Sequence, residues 1–235
     1  PKQAPWKDLD RETKWRKSGM VDLWDPAIRA QQCLSCHLGD PDPKSKSGKV
    51  LGHDLYAAGH PPLGSFELSA FGQQQPRHWL YLRDKGDEAR ERLKFHPDRH
   101  EQAELVAIGG LMALRQAMQV TIKEAGAGGR WPEFALYDCA ACHHELRDRS
   151  WRQARADSTA PGRPRRPAWA GVLAPVGIAA STANPQVAAA RECELRCSLS
   201  SFDAELARQP FGNPEKVAVA ARSLLEWVDP ILIEL

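Results

Sequence analysis

The sequence predicts a mainly α, loop-rich chain with a C-terminal helical segment. Three observations carry this. Apolar residues recur at helical spacing over 101–124 and again over Val217, Ala220, Ala221, Leu224 and Val228. Helix-starting signals precede two segments, Pro26 in the first and Asn213 followed by Pro214 in the second. No strand-like alternation flanks the cysteine pairs discussed below.

Taken in order, residues 1–30 are charged and carry Trp6, Trp15 and Trp24, and are read as one helix and an extended arm. A short helix beginning near Pro26 should end on Cys33. Asp40–Lys49 is a turn-rich surface loop. Residues 53–60 are read as helical, ended by Pro61 and Pro62. Helices are expected over 87–95 and 101–124, the latter stopped by the glycines after Ala125. A further helix is expected over 132–146, with Pro132 in its first turn. This divides the chain into a cysteine- and histidine-bearing domain at 1–150, an Arg/Pro-rich linker at 151–167 and a helical extension at 168–235. The stripe on the last helix should be buried against the first domain or against a partner.

The 235 residues have an apolar share of 42%, enough for a packed core. A formal net charge of +2 argues against nucleic acid as the main partner. No bilayer span is expected in this chain. Pro167–Ala190 is uncharged but weakly apolar and broken by prolines, and Leu105–Ile122 is interrupted by Arg115, Gln116 and Gln119. The first residue is Pro1 rather than Met, so this N-terminus is read as processed, truncated or incomplete.

Chemistry enters with the cysteines. Four of the six form two identical patterns, Cys33-Leu-Ser-Cys36-His37 and Cys139-Ala-Ala-Cys142-His143. Two thiols at this spacing can add to the two vinyl groups of one porphyrin, and the next imidazole then reaches the iron as proximal ligand. The expected cofactors are therefore two covalently bound haem c. Zinc is disfavoured because about a hundred residues separate the pairs, and a thiol redox site because no βαβ pattern surrounds them. Haem c is attached outside the cytoplasm, so a periplasmic or otherwise extracytoplasmic location follows.

For the second axial position the remaining histidines are His53, His60, His78, His96, His100 and His144. Met112 and Met118 fall on the apolar pattern of 105–122 and are read as core, so histidine is favoured as the second ligand. His53 and His60, seven apart, would share one face of a helix and are the leading candidates. His144 cannot bind the same iron as its neighbour His143, because adjacent helical residues point about 100° apart. His144 and His78 are the alternatives. His96 and His100 sit among charges and are read as solvated.

The stretches "GMVDLWDPAIRAQQCLSCHLGD", "GHDLYAAGHPPLGSFELSAF", "PRHW" and "YDCAACHHELRDRSWRQ" together cover most of 12–155. They resemble multihaem c-type cytochromes related to the tetrahaem cytochrome c of nitrifying bacteria. The resemblance implies a helical, loop-rich electron carrier with bis-histidine haems in close pairs. It also implies further haem motifs upstream of Pro1, this chain corresponding to the C-terminal half, and so His53, His60 or His144 serving a haem on another segment or chain.

Two features stay outside the motifs. Arg147, Arg149, Arg152, Arg155, Arg163, Arg165 and Arg166 crowd one prolyl stretch, read as a solvated linker or as partners of haem propionates or of an acidic redox protein. Cys193 and Cys197 are four apart, with Ser198 where a ligand would stand, and are read as a disulfide or as unpaired buried thiols. The functional expectation is an electron-transferring dihaem cytochrome whose partners are other redox proteins or haem-protein subunits. The alternatives are a haem enzyme with one open iron acting on peroxide or a small nitrogen compound, and a relay subunit of a respiratory complex docked through the C-terminal helices.

Overall fold

The fold is mainly helical, and no strand occurs among the described residues. The computed structural model describes residues 5–42, 49, 51–74, 80–93, 95–98, 100–145, 147, 163–208 and 210–235. His78, Arg149, Arg152 and Arg155 lie outside these residues, as does most of the Asp40–Lys49 loop.

The helices in chain order are α1 (Arg11–Ser18), α2 (Pro26–His37), α3 (His53–Ala57), α4 (Leu68–Gln74), α5 (Asp87–Arg92) and α6 (Glu101–Ala125). They continue with α7 (Cys139–Cys142), α8 (Trp169–Val172), α9 (Ala174–Ala180), α10 (Pro185–Ala207) and α11 (Pro214–Ile233). Helix α6 is the axis. Helices α2, α4, α8, α9 and α11 all pack on it. Of the described helices it alone is long and apolar enough to cross a bilayer, and 72% of that apolar stretch is buried by these neighbours.

Close approach to α6 depends on two glycines at its middle. A Cβ on Gly109 would stand 2.7 Å from Leu68 Cβ on α4, and one on Gly110 would stand 2.8 Å from the Leu173 carbonyl oxygen at the α8–α9 junction. Neither distance is tolerable for real atoms, so these crossings need glycine.

The hydrophobic core runs across the expected domain boundary. Leu111, Leu114 and Met118 of α6 share one cluster with Ile178 of α9, Phe202 of α10 and Leu224 of α11. The α11 stripe is therefore buried against α6 rather than kept for a partner, with Val217, Ala221, Leu224 and Val228 at 0% exposure. Met112 and Met118 are core residues, as their spacing predicted. Asn213 caps α11 by accepting from the Lys216 amide (3.1 Å), and Pro214 occupies the first turn. A smaller cluster joins Ala30 and Leu34 of α2, Phe66, Leu68 and the N-terminal half of α6.

Two helical expectations are corrected. Residues 53–60 are not one helix: α3 stops at Ala57, and Gly59 (φ 102°) turns the chain. The Gly59 amide donates to the Tyr56 carbonyl and the His60 amide to the Leu55 carbonyl, the paired bonds of a glycine-ended helix. His60 thus leaves the face that carries His53. Residues 132–146 are not one helix either. The Trp131–Pro132 bond is cis, Phe134–Leu136 is a single 3₁₀ turn, and α7 spans four residues. The reason is two competing side-chain caps, Glu133 on the Ala135 amide (3.0 Å) and Asp138 on the Ala140 amide (3.0 Å), each starting its own turn. Helix α4 and the pair α8–α9 lay unread in stretches dominated by Gly, Ala and Pro.

Candidate functional site

The first motif ends α2. Asp25 starts that helix by accepting from the Ala27 (2.8 Å) and Ile28 (3.1 Å) amides. Ala30 and Leu34 then face α6, which turns Cys36 and His37 outward at the last turn and leaves Cys33 half-buried. Burial pushes the Cys33 thiol up from its ordinary pKa, and the Arg29 guanidinium one turn earlier opposes this. The chain beyond His37 is fixed to α6: buried Gln116 donates to the Gly39 carbonyl (2.8 Å) and Lys123 to the Asp40 carbonyl (2.7 Å). The ring packed on His37 is Phe71, edge-on at 6.2 Å.

The second motif occupies α7 and the residue after it. Asp138 caps α7 while its own amide donates to the Arg165 carbonyl (2.6 Å), tying the motif to the strand-like run before α8. Cys139, Cys142 and His143 are exposed.

His53 meets this second motif. The two imidazole centroids of His53 and His143 lie 6.1 Å apart, and the ring planes are within 22° of parallel. Glu133, buried, sets the approach. Its Oε1 accepts from the His53 amide (2.7 Å) and from the Ala135 amide, and its Oε2 pairs with Arg130 (2.8 Å). Gly52 makes room for this clamp, since a Cβ there would stand 2.6 Å from the Arg130 guanidinium. Phe134 lies edge-on to His53 (5.7 Å) and to Phe211 (5.1 Å), so the loop between α10 and α11 backs the site.

This geometry fits two imidazoles on one metal. With metal–nitrogen bonds of about 2 Å and about 1.1 Å from nitrogen to ring centre, trans imidazoles have centroids about 6 Å apart. Ordinary aromatic pairs also fall in this range. What distinguishes the pair is that one ring directly follows two thiols three positions apart.

An apolar cavity of about 230 Å³ adjoins both motifs, lined by Leu38 beside His37, by Cys139, and by Tyr56, Met118, Trp131 and Trp169. The four motif thiols do not converge on a tetrahedral zinc site, since among the described residues no three His, Cys, Asp or Glu side chains come together.

The other expected residues sit apart. His60 is exposed, its Nδ1 2.9 Å from the Pro61 carbonyl oxygen, and Tyr56 is the ring nearest it (6.2 Å). His144 Nδ1 is 3.0 Å from the Glu145 carbonyl oxygen. Cys193 and Cys197 are free and exposed on α10, which corrects the reading of a disulfide or of buried thiols. Sequence reasoning missed Glu133. A glutamate shortly after a proline carries no signal of its own, and its partners come from distant positions.

Comparison with protein-family models, with curated proteins and with solved structures finds no match to this chain.

Proposed function

We propose that this chain is an extracytoplasmic dihaem c-type cytochrome that passes single electrons between redox proteins, akin to the multihaem cytochromes its motifs resemble. The observation that carries the reading is the His53–His143 pair beside Cys139 and Cys142. When bound, haem c supplies a one-electron iron couple whose potential is set by axial ligands, burial and nearby charge. Cys33 and Cys36 hold one porphyrin and Cys139 and Cys142 the other. His37 and His143 are the proximal ligands.

His53 belongs to the second iron, not to the iron of His37. Its ring reaches His143 because Glu133 fixes the start of α3 against the loop before Cys139. The place opposite His37 falls to His60, His144 or His78, or to a ligand outside this chain. The shared cavity favours two haems close enough to exchange electrons, since both motifs border it.

The second reading, a haem enzyme with one open iron position, attaches to the His37 site, where the packed ring is Phe71 rather than an imidazole. Carbon monoxide decides between them. Reduced protein that binds none has both irons closed and is a carrier. Binding at one iron places the open position.

The primary test is covalent haem content. Mass spectrometry of the exported protein should show two haems, with Cys36→Ala and Cys142→Ala each impairing attachment at one site. Wild-type protein with no covalent haem ends the proposal.

A further inference from the structure

Arg166 enters the apolar cavity beside Cys139 as a buried cation with spare donors. Its side chain is 16% exposed, and its Nε lies 3.0 Å from Asp203 Oδ1 of α10. Neither that Nε nor Nη1 has a hydrogen-bond partner, although both are shielded from solvent. The remaining charged side chain on the cavity wall, Asp138, already caps α7. Arg166 is also held in place relative to the second motif, because the Arg165 carbonyl accepts from the Asp138 amide next to Cys139.

A buried guanidinium with unused donors is costly unless an anion meets it. The planar fork suits a carboxylate, and the apolar wall suits a flat hydrophobic body attached to it. Asp203 does not fill this role well. Burial pushes its carboxyl up from the ordinary range, and its Oδ1 lacks a hydrogen-bond partner despite the short approach.

We propose that Arg166 is the carboxylate-binding residue of the second site and receives a propionate of the haem held by Cys139 and Cys142. The inference rests on the cytochrome reading above. It assigns one arginine of the Arg/Pro-rich stretch to the cofactor. In this role Arg166 sets the haem's orientation and raises its potential, because a fixed cation favours the added electron.

Potentiometric titration of the haem-loaded full chain should give two midpoint potentials. Arg166→Met, which keeps bulk and removes charge, should lower one and leave the other in place. Asp203→Asn, which removes the neighbouring anion, should raise that same one. A packing defect gives no reason for opposite shifts on a single haem. If Arg166→Met does not fold, the upward shift in Asp203→Asn still reads the relationship. Unmoved potentials, or shifts of the same sign in the two variants, overturn the inference while the mass count still reports two haems. A wild-type protein without covalent haem ends the cytochrome reading, and this inference with it. Benzoate added to wild-type protein should move neither potential. A saturable shift that Arg166→Met abolishes would make the occupant a free carboxylate and overturn the propionate assignment.

Discussion

His53 at the start of α3 faces His143 just beyond α7, with ring centroids 6.1 Å apart and planes nearly parallel. Helix α6 and its flanking loops separate the two residues in the chain. If they close one iron, His53→Ala should open it. The expected outcome is one low-spin haem converted to a form that binds carbon monoxide, and the other unchanged, read by visible and electron paramagnetic resonance spectra. His60→Ala should leave this haem low-spin, since His60 has turned off the α3 face. Unaltered spectra in His53→Ala would remove His53 as a ligand.

Glu133 tests how that pairing is held. It is 6% exposed and serves the His53 amide, the Ala135 amide and Arg130 together. Glu133→Ala leaves buried donors unmet, at about 1–3 kcal/mol of unfolding free energy. Denaturant titration should show this loss, and carbon monoxide binding should rise at the same haem as in His53→Ala. Glu133→Gln keeps one acceptor and should fall between.

The shared core predicts coupled unfolding. Leu224 on α11 is at 0% exposure and contacts a cluster that includes Tyr137, two residues before Cys139. Leu224→Ala should cost about 2–5 kcal/mol. Tryptophan fluorescence and the haem Soret band should move to the same lower midpoint. Separate midpoints would mean that the C-terminal helices unfold independently.

At the α4 crossing, Gly109→Ala forces a Cβ into Leu68. A loss of about 1–3 kcal/mol is expected. Gly72→Ala, which meets nothing within 4 Å, serves as the control in the same thermal melt.

A pH dependence follows from Arg191 and Glu234, which tie α10 to the end of α11 through two hydrogen bonds (2.8 and 2.7 Å). The Arg191 side-chain bond holds the Glu234 carboxyl below its usual range. A depressed folded-state pKa means stability present above the unfolded value and lost as pH falls through the folded one. Wild-type protein should therefore melt above Glu234→Gln at neutral pH, and the gap should close on acidification below about pH 4. A gap that persists in acid would show that charge is not its source.

Much of the helical skeleton was legible because its signals are local. The apolar period of α6, the glycines after it, the Asn213-Pro214 start of α11 and the buried Met112 and Met118 follow from spacing and capping alone. The misread segments share one cause. Over 53–60 and 132–146 helical propensity was outweighed by backbone bonds that spacing does not reveal: the glycine turn at Gly59, and the competing caps of Glu133 and Asp138.

The sequence by itself determined where covalent cofactor chemistry can occur, because two thiols and an imidazole at fixed spacing carry their geometry within five residues. It also determined that α6 and α11 would each bury a stripe. Which histidine faces His143, which carboxylate clamps it, and where Arg166 is buried were decided only by tertiary structure. Those relationships join residues far apart in the chain, and they depend on how closely α4, α8, α9 and α11 can approach α6. That approach is set by side-chain volume at Gly109 and Gly110, which no periodicity of the sequence encodes.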